Sequence, residues 1–340
     1  MSSNTIVSKW LIAIMILISV IIVIGAITRL TSSGLSMPFW DLVEIVPPLS
    51  EESWLDKFEE YKKTLDYKNQ SISSISEFKT IFWWEYIHRI IGRIIGLVAL
   101  IPLLVFIYKG YLTPKQKRSY GVILFLIITQ GVVGWLMVKS GLSEGVYNQS
   151  KGVSPFWLLL HLGLAFLTFC YTLFNYLKLN HESIINKSKF NINPGVIIFL
   201  LIFIQILLGA LMSGFKAAHL YPSFPLMNGE FYPSKMEVFK FSNIEFINFS
   251  HRWFAFIALS MIGGIYLKIK RSISLKQKAI FLTLCYAVIL QVFLGILSLL
   301  NPVIPFAGEI DQITIAVMHQ FVAIVLLAIC TTLTFSFSNR

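Results

Sequence analysis

Charge is scarce in this sequence. Lys, Arg, Asp and Glu make up 13% of 340 residues while hydrophobic types make up 56%, and a water-facing surface needs about 25% charged residues. The shortage excludes an ordinary soluble enzyme and a disordered chain. Cysteine is nearly absent too: the three present, Cys170, Cys285 and Cys330, all fall inside apolar runs. None lies in an outer loop where an oxidising compartment could pair it, so a disulfide-stapled secreted module is excluded. They read as small core residues. Acid is rarer than base, leaving a net charge of +11. In a soluble protein that excess would suggest nucleic acid; in a lipid-facing chain it reads first as topology, and no nucleic-acid partner is expected.

What is present is a series of apolar runs, each long enough to cross a bilayer at about 20 residues per span. They fall near 10–29, 82–108, 119–139, 155–177, 194–214, 246–270, 278–299 and 312–336. Backbone groups in hydrocarbon must bond within their own segment, and the runs lack the two-residue alternation of a barrel strand, so they are helices. The first run has no small-x-small cleavage site and is longer than a signal-peptide core, so it reads as a retained span. Lys9, the Lys109–Arg118 stretch, Lys178, Lys187, Lys189 and the Lys268–Lys278 stretch share one side with a single acid, Glu182. The positive-inside rule makes that side cytoplasmic, with both termini there.

The chain also repeats itself. Gln130-Gly131-Val132-Val133-Gly134 is answered by Gln291-Val292-Phe293-Leu294-Gly295, and Glu85-Tyr86-Ile87-His88-Arg89 by Asn248-Phe249-Ser250-His251-Arg252. His161 is answered by His319, and Gly25-Ala26 by Gly209-Ala210. The spacing is nearly constant except at the opening span, where the first half carries a longer loop. The expected fold is therefore an all-α integral membrane protein whose eight transmembrane helices form two pseudo-symmetric four-helix bundles, a parallel repeat. The halves are residues 1–190, with a long outer loop at 30–80, and residues 191–340.

Of six histidines, His181 and His219 lie in loops. His88, His161, His251 and His319 each lie a similar distance inside the outer end of an even-numbered span. A four-helix bundle can hold a cofactor between side chains of facing helices. One histidine on each of two helices, repeated in the other half, suits two b-type hemes, each an apolar disc with its iron held from both faces. A proton or metal relay and plain packing are the alternatives. Zinc fits poorly because no third and fourth ligands lie at this depth. Arg89, Arg93 and Arg252 stand beside these histidines, either snorkelling to headgroups or pairing heme propionates.

One asymmetry points beyond electron transfer. Glu85 lies three residues before His88, on the same helix face, whereas Asn248 holds the equivalent place before His251. A carboxylate at that depth is costly unless paired, which makes Glu85 a candidate proton-transfer group or else a partner of Arg89. In the long loop, Glu51 to Lys68 is rich in helix formers, with Trp54, Leu55, Phe58 and Tyr61 at helical spacing. It is expected to be partly helical and to pack over the first-half site.

Thr28-Arg29-Leu30-Thr31, Ser33-Gly34-Leu35-Ser36-Met37, Trp40, Pro47-Pro48-Leu49, Glu77-Phe78-Lys79, Ile81-Phe82-Trp83-Trp84-Glu85, His88-Arg89 and Gly92-Arg93 together resemble the heme A synthase family. The likeness is to its mitochondrial and alphaproteobacterial-like branch. Some bacterial members carry a cysteine pair in the first outer loop; this chain does not, so no thiol-based step carries over. The resemblance implies an oxidoreductase of a bacterial cytoplasmic membrane that oxidises the C8 methyl of heme O to a formyl group by successive hydroxylations, giving heme A for terminal oxidases. By matching position it implies Glu85 as the catalytic acid, His88 and His161 as ligands of the substrate heme, and His251 and His319 as ligands of a permanent heme b. Implied partners are heme O synthase, oxidase assembly factors and an electron acceptor. The rival from a different class is a non-catalytic dihaem b-type cytochrome for quinol-linked electron transfer.

Overall fold

A computed structural model describes residues 2–37, 46–69, 72–142, 152–180, 192–300 and 309–338. Among the described residues the regular structure is helical: α1 Ser3–Leu30, α2 Glu51–Lys62, α3 Leu65–Asn69, α4 Ile75–Tyr108, α5 Pro114–Leu142, α6 Pro155–Asn180, α7 Pro194–Gly214, α8 Ile244–Ile269, α9 Leu275–Leu300 and α10 Glu309–Ser336, with one short 3₁₀ turn at Ala217–His219. Eight of them are long and apolar enough to cross a membrane. Each matches one expected run. The chain is an all-α integral membrane protein.

Local chemistry sets where the helices begin. Proline opens α5, α6 and α7, a position where its missing N–H costs nothing. Asn193 caps α7 and Asn243 caps α8. Ser50 with Ser53, and Ser74 with Glu77, form reciprocal caps at α2 and α4. Pro102 lies inside α4 without ending it. Leu97, Ile101 and Leu104 on that helix are 54%, 55% and 55% exposed. A stripe of that kind is unfavourable in water and suits lipid.

The chain divides into two compact units, residues 16–165 and residues 1–15 with 166–340. Helices α1 and α6 pass from one unit to the other. In the first unit, α2 docks on the first turns of α4 through Trp54, Phe58, Tyr61, Phe78, Ile81 and Phe82. Phe58 and Tyr61 each stack on Phe78 with ring centres 5.2 Å apart, and Trp54 meets Phe82 edge-on at 5.0 Å. The expected helix is there, but Leu55 is not on its packing face: it is 53% exposed, because the spacing Trp54, Phe58, Tyr61 alone defines the buried stripe. The Tyr61 hydroxyl donates to Asp66 at 2.8 Å, and burial together with Asp66 raises the phenol above its usual pKa.

In the second unit, α7 packs closely on α10. A Cβ added at Gly195 would lie 2.5 Å from Thr334 Cα, so only glycine permits this approach, the small-residue packing common between membrane helices. Asn193 ties the same junction by donating to the Thr334 carbonyl at 2.9 Å. Cys170 and Cys330 are buried free thiols in this unit and Cys285 is half-buried.

Candidate active site

The four intramembrane histidines share one construction: each rests against a glycine of a neighbouring helix. A Cβ at Gly134 of α5 would lie 2.8 Å from His161 Cε1, at Gly209 of α7 3.0 Å from His251 Cε1, and at Gly295 of α9 2.9 Å from His319 Cε1. At Gly25 of α1 it would lie 3.3 Å from His88 Nε2. The glycines let the imidazoles sit flush with the next helix. His88 and His161 bring their ring centres to 6.5 Å. All four histidines are half-buried.

A glutamine one turn before the glycine touches three of the four. Gln130, Gln205 and Gln291 each donate from Nε2 to the backbone carbonyl of His161, His251 and His319 respectively, at 2.9 Å in every case. The same Nε2 lies 3.1 Å from Nδ1 of His161 and of His251, and 3.4 Å from Nε2 of His319. Among the described residues each glutamine Oε1 is buried without a partner, as is Nδ1 of His319.

Glu85 is almost fully buried, at 3% exposed, and densely held. Its Oε2 accepts from the Ser36 hydroxyl at 2.7 Å and from the Met37 N–H at 2.9 Å, while Oε1 pairs with Arg89 Nη2 at 2.5 Å. Arg89 also donates to the Met37 carbonyl at 2.8 Å. In the other unit Asn248, fully buried, donates to the Ala217 carbonyl at 2.7 Å. Arg252, one turn on, donates to the carbonyls of Ser223, at 2.6 Å, and Tyr221. Each i, i+4 pair thus clamps the loop that follows α1 or α7. The two pairs differ in charge: Glu85 balances Arg89, but no carboxylate pairs with Arg252 among the described residues, and its Nε is buried without a hydrogen bond.

No cluster of three or more His, Cys, Asp or Glu comes together among the described residues, so a tetrahedral zinc set is not assembled there. His219 lies in the 3₁₀ turn; His181 lies outside the described residues, and Arg93 is half-buried on α4.

A family model described as COX15-CtaA, cytochrome oxidase assembly protein, matches residues 8–331. The chain belongs to this family. Relatives named heme A synthase include one from Pelagibacter ubique, 37% identical over 330 residues that cover 94% of this chain and 93% of that protein. One from Bradyrhizobium diazoefficiens is 36% identical, covering 97% of this chain and 91% of the relative. One from Flavobacterium psychrophilum is 36% identical and covers 100% of both. The likeness to heme A synthases read from the motifs between Thr28 and Arg93 therefore extends along nearly the whole chain.

Within this family member, sequence reasoning picked out the histidines, arginines and Glu85, and it missed the groups that hold them. Ser36 and Met37 looked like motif residues with no stated task. Gln130 and Gln291 were visible only as part of a repeat, and Gln205 not at all. The spacing Gln-x-x-x-Gly, present in α5, α7 and α9, was the signal that could have found all three.

Proposed function

We propose that this protein is a heme A synthase, an oxidoreductase of the bacterial cytoplasmic membrane with both termini on the cytoplasmic side. It oxidises the C8 methyl of heme O to a formyl group by successive hydroxylations and so supplies heme A to terminal oxidases. The observation that carries this reading is the pairing of His88 and His161 near a buried carboxylate, Glu85, whose counterpart in the other unit is the neutral Asn248. A protein that only passed electrons would have no use for that difference.

The residues fit the groups the reading assigns them. His88 and His161, with ring centres 6.5 Å apart, are close enough that the two imidazoles would hold one heme iron between them. The glycine seats let each ring lie flush with the neighbouring helix, and at His161, His251 and His319 a glutamine amide stands beside one ring nitrogen and would leave the other for the metal. In the functional division, residues 1–190 bind the substrate heme through His88 and His161, and residues 191–340 hold heme b through His251 and His319. Heme b supplies one-electron transfer when bound. Arg93 and the free Nε–H of Arg252 are assigned to heme carboxylates, which guanidinium pairs well.

Glu85 is assigned the chemistry. Withdrawing electrons from a methyl carbon leaves positive charge there, and adding water releases protons. A carboxylate held by Ser36, Met37 and Arg89 is preorganised to stabilise that charge and to accept a proton. Arg89 then acts as a positioning residue that also fixes the loop carrying Ser36 and Met37. Heme O synthase is the natural donor of the substrate, oxidase assembly factors the receivers of the product, and a separate electron acceptor takes up the reducing equivalents.

Extraction and chromatography of the hemes in the purified protein test the assignment. Wild type should yield heme b together with heme O or heme A. His161→Ala should lose the latter and His319→Ala the former, whereas equal loss of one heme type from both variants would contradict the division.

A further inference from the structure

Three of the four histidines are held by a glutamine, and one is not. The place of the glutamine, one turn before the supporting glycine, is taken in α1 by Ile21. Ile21 faces the His88 helix: its Cδ1 lies 3.6 Å from where a Cβ on Gly92, one turn beyond His88, would be. No hydrogen bond reaches the His88 ring among the described residues. The ring is also turned differently, meeting its glycine with the Nε2–Cδ2 edge where the other three present Cε1.

An outer hydrogen-bonding partner fixes the ring orientation of a metal-bound histidine, and losing it typically weakens the metal site about 10- to 100-fold. An isoleucine offers no such partner. Resting on the proposed function, we infer that His88 is the axial ligand that gives way, while His161, His251 and His319 are fixed. The heme between His88 and His161 is then anchored on one face and replaceable on the other, as a substrate that must enter and leave requires. The heme between His251 and His319 is anchored on both, as a permanent cofactor requires. The exchange itself breaks the His88–iron bond and forms a bond from iron to the incoming ligand, with no change in oxidation state.

The test uses carbon monoxide as the incoming ligand, on the purified full-length protein with heme B added to fill both sites and then reduced by dithionite. Binding is read from the Soret band. In wild type one heme of the two should bind carbon monoxide. Ile21→Gln, which restores the missing amide, should lower the affinity of that heme about 10- to 100-fold. Gln205→Ile, which copies the α1 arrangement into the other unit, should make the second heme reactive. Equal reactivity of both hemes in wild type, an unchanged affinity in Ile21→Gln, or an inert second heme in Gln205→Ile would each overturn the inference. Failure of the wild-type protein to show any bis-histidine spectrum would instead overturn the heme reading on which it rests.

Discussion

Glu85 Oε1 and Arg89 Nη2 lie 2.5 Å apart along one turn of α4, and both groups reach the same loop residue, Met37. Carboxylate, guanidinium and loop form one closed unit. Replacing Glu85 with Gln keeps its size and part of its hydrogen bonding but removes the charge. The fold and both hemes should be retained while heme A falls and heme O, or a hydroxylated form, accumulates. A general base contributes about 10² to 10⁴ in rate, so the loss will be plain in extracted heme. A Glu85→Gln protein that makes heme A at the wild-type rate would leave Glu85 as a structural partner of Arg89.

The glycine seats make a graded series. A methyl group is closest to the ring at Gly134, Gly295 and Gly209, with contacts of 2.8, 2.9 and 3.0 Å, and least crowded at Gly25, at 3.3 Å. Gly134→Ala should therefore deplete the first-unit heme, and Gly295→Ala and Gly209→Ala should deplete heme b. Gly25→Ala should do least. Heme content per protein, read by pyridine hemochrome spectra, gives the order.

Gly195 is crowded by backbone rather than by a side chain. Gly195→Ala should force α7 and α10 apart at a cost of about 1–3 kcal/mol, lowering the melting temperature without changing which hemes are bound. A variant as stable as wild type would show that the approach of Gly195 to Thr334 is not needed.

The docked α2 segment has its own pH dependence. Tyr61 is raised above the ordinary phenol value by burial and by Asp66, so the folded state favours the protonated form. That stabilisation is complete below about pH 10, the unfolded value, and is lost as pH rises further. Limited proteolysis between residues 51 and 69 should stay slow up to about pH 10 and accelerate above it. Tyr61→Phe should flatten this response and lose about 1.5–3 kcal/mol, the worth of a hydrogen bond to a charged group.

Much of this was legible in the sequence because lipid imposes a simple rule: a span must be apolar, helical and long enough, and all eight were. The histidines stood out because ionisable groups inside apolar runs are conspicuous. What stayed hidden depends on neighbours brought from elsewhere in the chain. Glu85 shows its own residue type, but that Ser36, nearly fifty residues earlier, donates to it follows only from how the loop after α1 folds back. Leu55 misled because Trp54, Leu55 and Phe58 are all apolar, and only docking on Phe78 decides which edge of α2 is buried. The glutamines were unremarkable as a residue type until Gly134, Gly209 and Gly295 placed a histidine within their reach.

The most direct test is to express the chain in cells that make heme O but lack their own enzyme for converting it, and to separate the extracted membrane hemes by chromatography. The account predicts that heme A appears with the wild-type chain and is absent with His161→Ala. Cells that contain the folded, heme-bearing protein and accumulate heme O with no heme A would contradict it.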